Sequence, residues 1–257
     1  MTFAFSERHI QEYYVQGYTV FEQILPPSLV QDLRQVADQA RQLARRERGP
    51  QTQRLQPLAA YQLDQQPLHD YAELPVLLDA LQRVLTPDHA PGGPQVMGIL
   101  FEPVEAAYCT PWHRDWRDNM PGLDIDRWQR DSGSIDLFNQ VNCALYNDSC
   151  TWVVPGSHLR PDLPGEAALF PQRPIPGPDL EGCGPVERER RCLTYVRQMA
   201  GAVQLHLQSG DFALYRNSLW HLGNYTPHAR RATLHDSVDT PAFVAWRQET
   251  QAQQAQQ

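Results

Sequence analysis

The stretch GDFALYRNSLWHLGNYTPHARRATLHDSV, residues 210–238, reads as strands folded back on one another. Gly210-Asp211 makes a turn, and Phe212 to Tyr215 has the aromatic and apolar character of a strand. A Pro-bearing turn then leads into a further strand that opens with Arg230-Arg231. The pattern continues outward. QVMGILFEPV (95–104), SIDLFNQVNCALYN (134–147), TWVVP (151–155) and AVQLHL (202–207) are short apolar runs punctuated by Pro, Gly, Asn and Asp. Their spacing predicts an antiparallel sandwich or barrel, not a βαβ sheet.

The first 90 residues read differently. Gly17 to Leu25 is a short β-rich run, closed by Pro26-Pro27-Ser28. Ser28 is a candidate N-cap for a helix in which Leu29, Val30, Leu33, Val36, Ala37 and Ala40 recur at helical spacing, stopped by Gly49-Pro50. A second helix is expected over Leu74–Leu85, ended by Thr86-Pro87. Residues 51–66 are Gln-rich and aperiodic. Residues 116–135 and 159–192 are too irregular for strands, and loops of that length are functional or mobile. The expected organisation is one domain over 1–247, helix-rich to about residue 90 with a β core over 91–240. A low-complexity disordered tail, QETQAQQAQQ, follows over 248–257.

Composition narrows the function. The chain has 257 residues, 41% of them hydrophobic, which is enough for a buried core. Its formal net charge of -8 has the wrong sign for nucleic acid or an anionic membrane surface, so neither partner is expected. No apolar run is long enough to span a bilayer, and the N-terminus lacks the basic and apolar regions of a secretory signal. Five cysteines without a CxxC pair fit free thiols in the cytoplasm better than a disulfide framework or a Cys-built zinc site.

TPWHRDW contains His113-x-Asp115. On a strand, residues two apart share a face, so an imidazole and a carboxylate can hold one metal from the same side. Alone the pair is a weak signal, but Trp112 and Trp116 flank it, as in the wall of a pocket. A second histidine, His221, follows Trp220. Two histidines and one carboxylate, with open positions left over, form the facial arrangement of non-haem Fe(II) oxygenases. Arg230 or Arg231 can then hold a carboxylate through two hydrogen bonds.

These segments carry a resemblance. GYTVFEQILPPSLVQDLR, TPWHRDW, CALYNDSCTWVVPGSHLR and GDFALYRNSLWHLGNYTPHARRATLH occur in the order found in the phytanoyl-CoA dioxygenase family of Fe(II)/2-oxoglutarate oxygenases, and cover most of residues 15–237. The resemblance implies a mainly β fold with flanking helices, a double-stranded β-helix or cupin-like jelly roll. It makes His113, Asp115 and His221 the iron ligands, with 2-oxoglutarate and O2 as co-substrates and succinate and CO2 released. The family's 2-oxoglutarate arginine falls about ten residues after the distal histidine. Arg230 shares a strand face with Ala232 and Leu234, Arg231 with Thr233 and His235. The apolar partners assign Arg230 to the barrel interior, with Arg231 as the fallback. Before WVVPGSH many members carry an Asn-Gly turn where this chain has Asp148-Ser149-Cys150-Thr151.

The expected reaction is hydroxylation of a small organic molecule. Asp115 fills the place that related halogenases leave for chloride. Desaturation, epoxidation and ring closure use the same ligands. Asn142 and Tyr146 share a strand face that can point toward the co-substrate. Trp116 and Trp128 are the expected substrate contacts, on an insertion over 116–133 expected to act as a mobile lid. Trp112 and Trp220 add to a partly apolar, ring-binding character. His158 braces the Pro155-Gly156-Ser157 turn, His206 lies on an outer strand face, and His228 and His235 line a loop or the sheet surface. GCGPVE, residues 182–187, is a loop. Two rival readings are a non-catalytic metal-binding jelly roll and a cupin-type metallohydrolase or isomerase.

Overall fold

The computed structural model describes residues 3–254. Helix α1 (Glu7–Gln16) leads into β1 (Tyr18–Phe21) through Gly17, whose φ of +85° suits a residue without a side chain. Helix α2 (Pro27–Arg48) starts one residue before the expected Ser28 cap. Pro27 takes the first helical position, where its missing N–H costs no hydrogen bond and its φ is already set. Leu33, Val36, Ala37, Ala40 and Ala44 form a fully buried stripe on α2. Arg34 and Arg41 anchor the helix to the sheet by donating to the carbonyls of Leu145 (2.7 Å) and Arg231 (2.9 Å). After β2 (Arg54–Leu55) come α3 (Gln66–Ala72) and α4 (Pro75–Val84), the latter within the expected second helix.

The β core follows as β3 (Ala90–Pro91), β4 (Gly98–Phe101), β5 (Tyr108–Cys109), β6 (Asn139–Ala144), β7 (Thr151–Val153), β8 (Val203–Gln204), β9 (Phe212–Arg216), β10 (His221–Tyr225) and β11 (Ala232–Asp239). The larger sheet runs β1-β9-β6-β11-β4-β2, with β3 also on β11; the smaller runs β5-β10-β7-β8. All these pairings are antiparallel. The two sheets with their flanking helices form the expected jelly roll, open and not closed into a barrel.

Three segments are more ordered than their sequences suggest. The stretch 116–135 holds α5 (Ile125–Asp131), capped by the Asp124 carboxylate, and Trp128 on it is 3% exposed, its ring tilted against Phe138. The expected mobile lid is thus docked on the domain. Residues 159–192 contain α6 (Pro164–Leu169) and the start of α7 (Pro185–Arg197), so the end of GCGPVE opens a helix. The expected disordered tail is, through Gln254, the second half of α8 (Pro241–Gln254); residues 255–257 lie outside the described residues. Phe243 and Trp246 bury α8 against Phe138, which gives the Gln-rich end a foundation its composition does not reveal. Among the described residues no helix is long and apolar enough to cross a membrane.

The sheet face of the arginines corrects the sequence reading. Ala232, Leu234 and Val238 pack with Leu33, Val36, Leu77 and Leu81 in the core beneath the helices. The larger sheet is covered on both faces, and its apolar face belongs to the helices. Thr233 and His235 therefore face the space between the sheets, and Arg231 lies on their side. Arg230 lies on the outside, its side chain 53% exposed and paired with Asp38 at 2.5 Å. Tyr146 is also outside, beneath the guanidinium groups of Arg34 and Arg230.

At Gly17 a Cβ would lie 2.5 Å from His158 Nδ1 and 2.8 Å from a Leu219 methyl, on a backbone that L-residues rarely adopt. Gly17→Ala should cost about 2–4 kcal/mol, combining a left-handed backbone with overpacking. A urea titration of the two proteins checks this.

Candidate metal centre

The metal-ligand geometry starts from a backbone contact. His113 N–H donates to His221 O (3.1 Å) and His221 N–H donates to His113 O (3.0 Å), an isolated antiparallel bridge. It sets the two imidazoles side by side, with ring centroids 4.3 Å apart. The chain then turns, so Asp115 lies on a turn and not on the strand the His-x-Asp spacing suggested. Asp115 N–H donates to Asn217 O (2.9 Å), and the Trp128 indole donates to Asp115 O (3.2 Å). The carboxylate returns to the histidines: Oδ1 is 3.4 Å from His113 Nε2 and Oδ2 is 3.6 Å from His221 Nε2. The three ligand atoms lie within 4.8 Å of one another.

The tautomers suit a metal. His113 Nδ1 faces Pro111 O at 2.7 Å and His221 Nδ1 faces Leu219 O at 2.9 Å. A carbonyl can only accept, so each Nδ1 carries the proton and each Nε2 lone pair points to the centre. Asn119 donates to Asp115 Oδ1 (2.8 Å) and orients the carboxylate. Burial opposes charge on Asp115, yet His221 and His113 hold its carboxyl well below the usual range. Burial likewise opposes charge on His113, and Asp115 overrides it to raise the imidazole pKa. Two neutral imidazole nitrogens and a carboxylate oxygen, all on one side, suit a divalent first-row metal with open positions.

A cavity of about 510 Å3 opens from these ligands between the sheets. Asn142, Gln140, His235 and Tyr215 line it from the larger sheet, Tyr225 from the smaller, and Trp116, Met120 and Phe243 from outside the sheets. Asn142, expected here, donates to Thr151 Oγ1 (3.0 Å) while its carbonyl accepts from His235 Nδ1 (3.0 Å). Gln140 donates to His235 Nε2 (3.0 Å), so His235 is a neutral bridge; burial, then Arg54, pushes its pKa down to about 3. His235 was expected on a loop or the sheet surface. Its alternation with Thr233 and Arg231 along β11 was the available signal. Phe243 and Arg247 come from α8 and had none.

The other expected site residues separate. Trp116 lines the cavity, with φ +68°, and packs edge-on against Trp246. Trp128 does not line it and acts instead as packing beneath Asp115. Trp112 and Trp220 are fully buried in the interior. Arg230 is remote. Arg231 is buried one layer behind the cavity wall, its guanidinium 4.9 Å from the Tyr225 ring centroid. Its Nε donates to Asp148 (3.1 Å), and its buried Nη1 has no hydrogen-bond partner among the described residues. A carboxylate from a bound acid is the kind of acceptor that the orphaned Nη1 lacks. His158 is buried, and desolvation brings its pKa down to about 4; His206 is exposed, as expected; His228 pairs with Glu189 on the surface.

Comparison with known proteins identifies a family and a fold. The family model described as "Phytanoyl-CoA dioxygenase (PhyH)" matches residues 13–232. Among solved structures, AviO1 from Streptomyces viridochromogenes Tue57 is similar at 17% identity and a TM-score of 0.59, over 92% of this chain and 95% of that one. EvdMO1 is similar at 16% identity and 0.60, over 91% of this chain and 49% of that one. SnoK, a non-heme alpha ketoglutarate dependent carbocyclase from nogalamycin biosynthesis, is similar at 17% and 0.58, over 91% and 84%. At such identities the likeness is one of fold. No curated protein matches the sequence.

His113→Ala, Asp115→Ala and His221→Ala should each remove most Fe(II) binding while leaving the folded spectrum intact, because two ligands hold the ion poorly. Metal content after anaerobic loading and desalting is the measurement; full content in any one variant would remove that residue from the ligand set.

Asp236, also on the cavity wall, supplies a pH test. Burial raises its pKa to about 7, against the backbone N–H groups of Ser237 and Gly93. The unfolded carboxyl ionises at lower pH, so this contribution to stability is complete below about pH 4 and is lost as pH rises through about 7. Asp236→Asn should therefore exceed the parent in stability at about pH 8 and lose that advantage toward about pH 4. Urea midpoints across the range measure it.

Proposed function

The chain belongs to the phytanoyl-CoA dioxygenase family, and from that premise we propose that it is a non-haem Fe(II)- and 2-oxoglutarate-dependent oxygenase that oxidises a small organic molecule. The observation that carries the reading is the convergence of His113, Asp115 and His221, with both Nε2 lone pairs freed by carbonyl acceptors at Nδ1. These three residues would hold the iron. Bound iron with 2-oxoglutarate supplies the oxidising power, drawn from O2 with release of succinate and CO2.

The chain's own residues do the positioning. The carbonyls of Pro111 and Leu219 fix the imidazole rings, and Asn119 fixes the carboxylate. Asn142, Gln140 and His235 form a neutral hydrogen-bonded wall that presents no competing charge to a metal-bound acid. Arg231 takes the distal carboxylate of 2-oxoglutarate in place of Arg230, which faces solvent. Trp116, Met120 and Phe243 supply an apolar surface for a ring-bearing substrate and exclude water beside the metal. Hydroxylation is the favoured outcome, since Asp115 fills the ligand position that a halide would need. The carbocyclase SnoK and the epimerase SnoN among the similar folds mark ring closure and epimerisation as the other outcomes a product assay must separate.

The test is 2-oxoglutarate-dependent O2 uptake with stoichiometric succinate, followed by a metabolite screen. Absence of succinate from iron-loaded protein across that screen would overturn the reading. Arg231→Ala should raise the 2-oxoglutarate requirement about ten- to hundredfold, the worth of a charge-assisted pair of about 1.5–3 kcal/mol, and Arg230→Ala should leave it within about twofold. Reversed effects would return the role to Arg230.

A further inference from the structure

We propose that Asp148 is a positioning residue for the co-substrate: it grips Arg231 by the Nε edge, leaves Nη1 free for a distal carboxylate, and so sets a preference for a 2-oxo diacid over a 2-oxo acid with a neutral tail. The inference rests on the reading of Arg231 given above and goes beyond it to the residue that makes Arg231 usable.

Asp148 forms an isolated antiparallel bridge with Leu207 just before β7. Its backbone is clamped to Leu207, donating at 2.9 Å and accepting at 2.8 Å. Its side chain is fixed as firmly. Oδ1 accepts from the Cys150 N–H (2.9 Å), and Oδ2 accepts from Thr233 Oγ1 (2.9 Å) and Arg231 Nε (3.1 Å). The Asp148 and Arg231 side chains are 2% and 4% exposed. A guanidinium buried alone is costly, and a single fixed carboxylate relieves that cost.

The grip is one-sided. Asp148 engages Nε, and Nη1 is left buried without a partner among the described residues. The guanidinium carbon lies over the Tyr225 ring, 4.9 Å from its centroid, and the Arg231 backbone is tied to Glu102 and Arg41. A Cβ on Gly223 would collide with the Tyr225 hydroxyl, so the tyrosine lies along the cavity floor because residue 223 is glycine. Tyr225, over whose ring the guanidinium lies, itself lines the cavity, so the charge stands one side chain from it. An anion entering from the cavity thus finds a cation already desolvated and oriented, with one edge unused. Arg54, an exposed cation on the same cavity, is the competing partner.

The experiment is anaerobic calorimetric titration of Fe(II)-loaded protein with 2-oxoglutarate and with 2-oxovalerate, which lacks the distal charge. The parent should prefer the diacid, and Asp148→Ala should shrink that preference about tenfold by releasing the guanidinium, with 2-oxovalerate binding and iron content unchanged. Asp148→Asn keeps an acceptor for Nε and removes the negative charge, so it should bind the diacid at least as tightly as the parent. It also carries the test if Asp148→Ala does not fold. Parent-like preference in Asp148→Ala, a reduced preference in Asp148→Asn, or a preference that disappears in Arg54→Ala alone would overturn the role of Asp148. Failure of the parent to bind 2-oxoglutarate at all would instead overturn the co-substrate reading.

Discussion

The pair of backbone hydrogen bonds between His113 and His221 is the contact on which the centre depends. It joins the segment after β5 to the start of β10 and sets two imidazoles side by side before any metal is considered. Asp115 completes the set because the chain turns immediately after the bridge, held by Asn217 on one side and Trp128 on the other. A ligand set built on backbone pairing is rigid in a way that side chains on loops are not, and rigidity is what a site with open coordination positions needs.

The larger sheet has two buried faces of opposite character. Toward the helices it presents Ala232, Leu234 and Val238 to a leucine-rich core. Toward the smaller sheet it presents Thr233, His235 and Asn142, each with a hydrogen-bond partner. The polar face borders the cavity. Thr233, His235 and Asn142 are hydrogen-bonded there, which keeps the cost of their burial low, whereas Arg231 Nη1 and Ser237 Oγ are buried without a partner among the described residues.

The helices do more than cover the sheets. Helix α8 brings Phe243 and Arg247 to the cavity and Trp246 to Trp116. Helix α5 places Trp128 against the backbone of Asp115. The cavity is thereby lined both by Trp116 and Met120, close behind Asp115 in the chain, and by Phe243 and Arg247 of the distant α8. Change in α8 can reshape the cavity without touching the residues that fix the three candidate ligands.

Much of this protein is determined locally and is legible in the sequence. Alternating apolar runs broken by Gly, Pro and Asn specify antiparallel strands, the α2 stripe specifies a helix that covers a sheet, and His113, Asp115 and His221 stand out by residue type and spacing. The tertiary structure alone decided which side of each element faces the cavity. Arg230 and Arg231 are adjacent, and strand alternation says only that they oppose one another. The apolar side of β11 is buried by helices from the N-terminal part of the chain, information that does not reside in β11. Likewise a Gln-rich stretch becomes helix because Phe243 and Trp246 find Phe138. Trp128 packs against the Asp115 backbone and away from the cavity lining because α5 turns it inward. Local pattern sets period and propensity, whereas facing and partnership come from packing between residues distant in the chain.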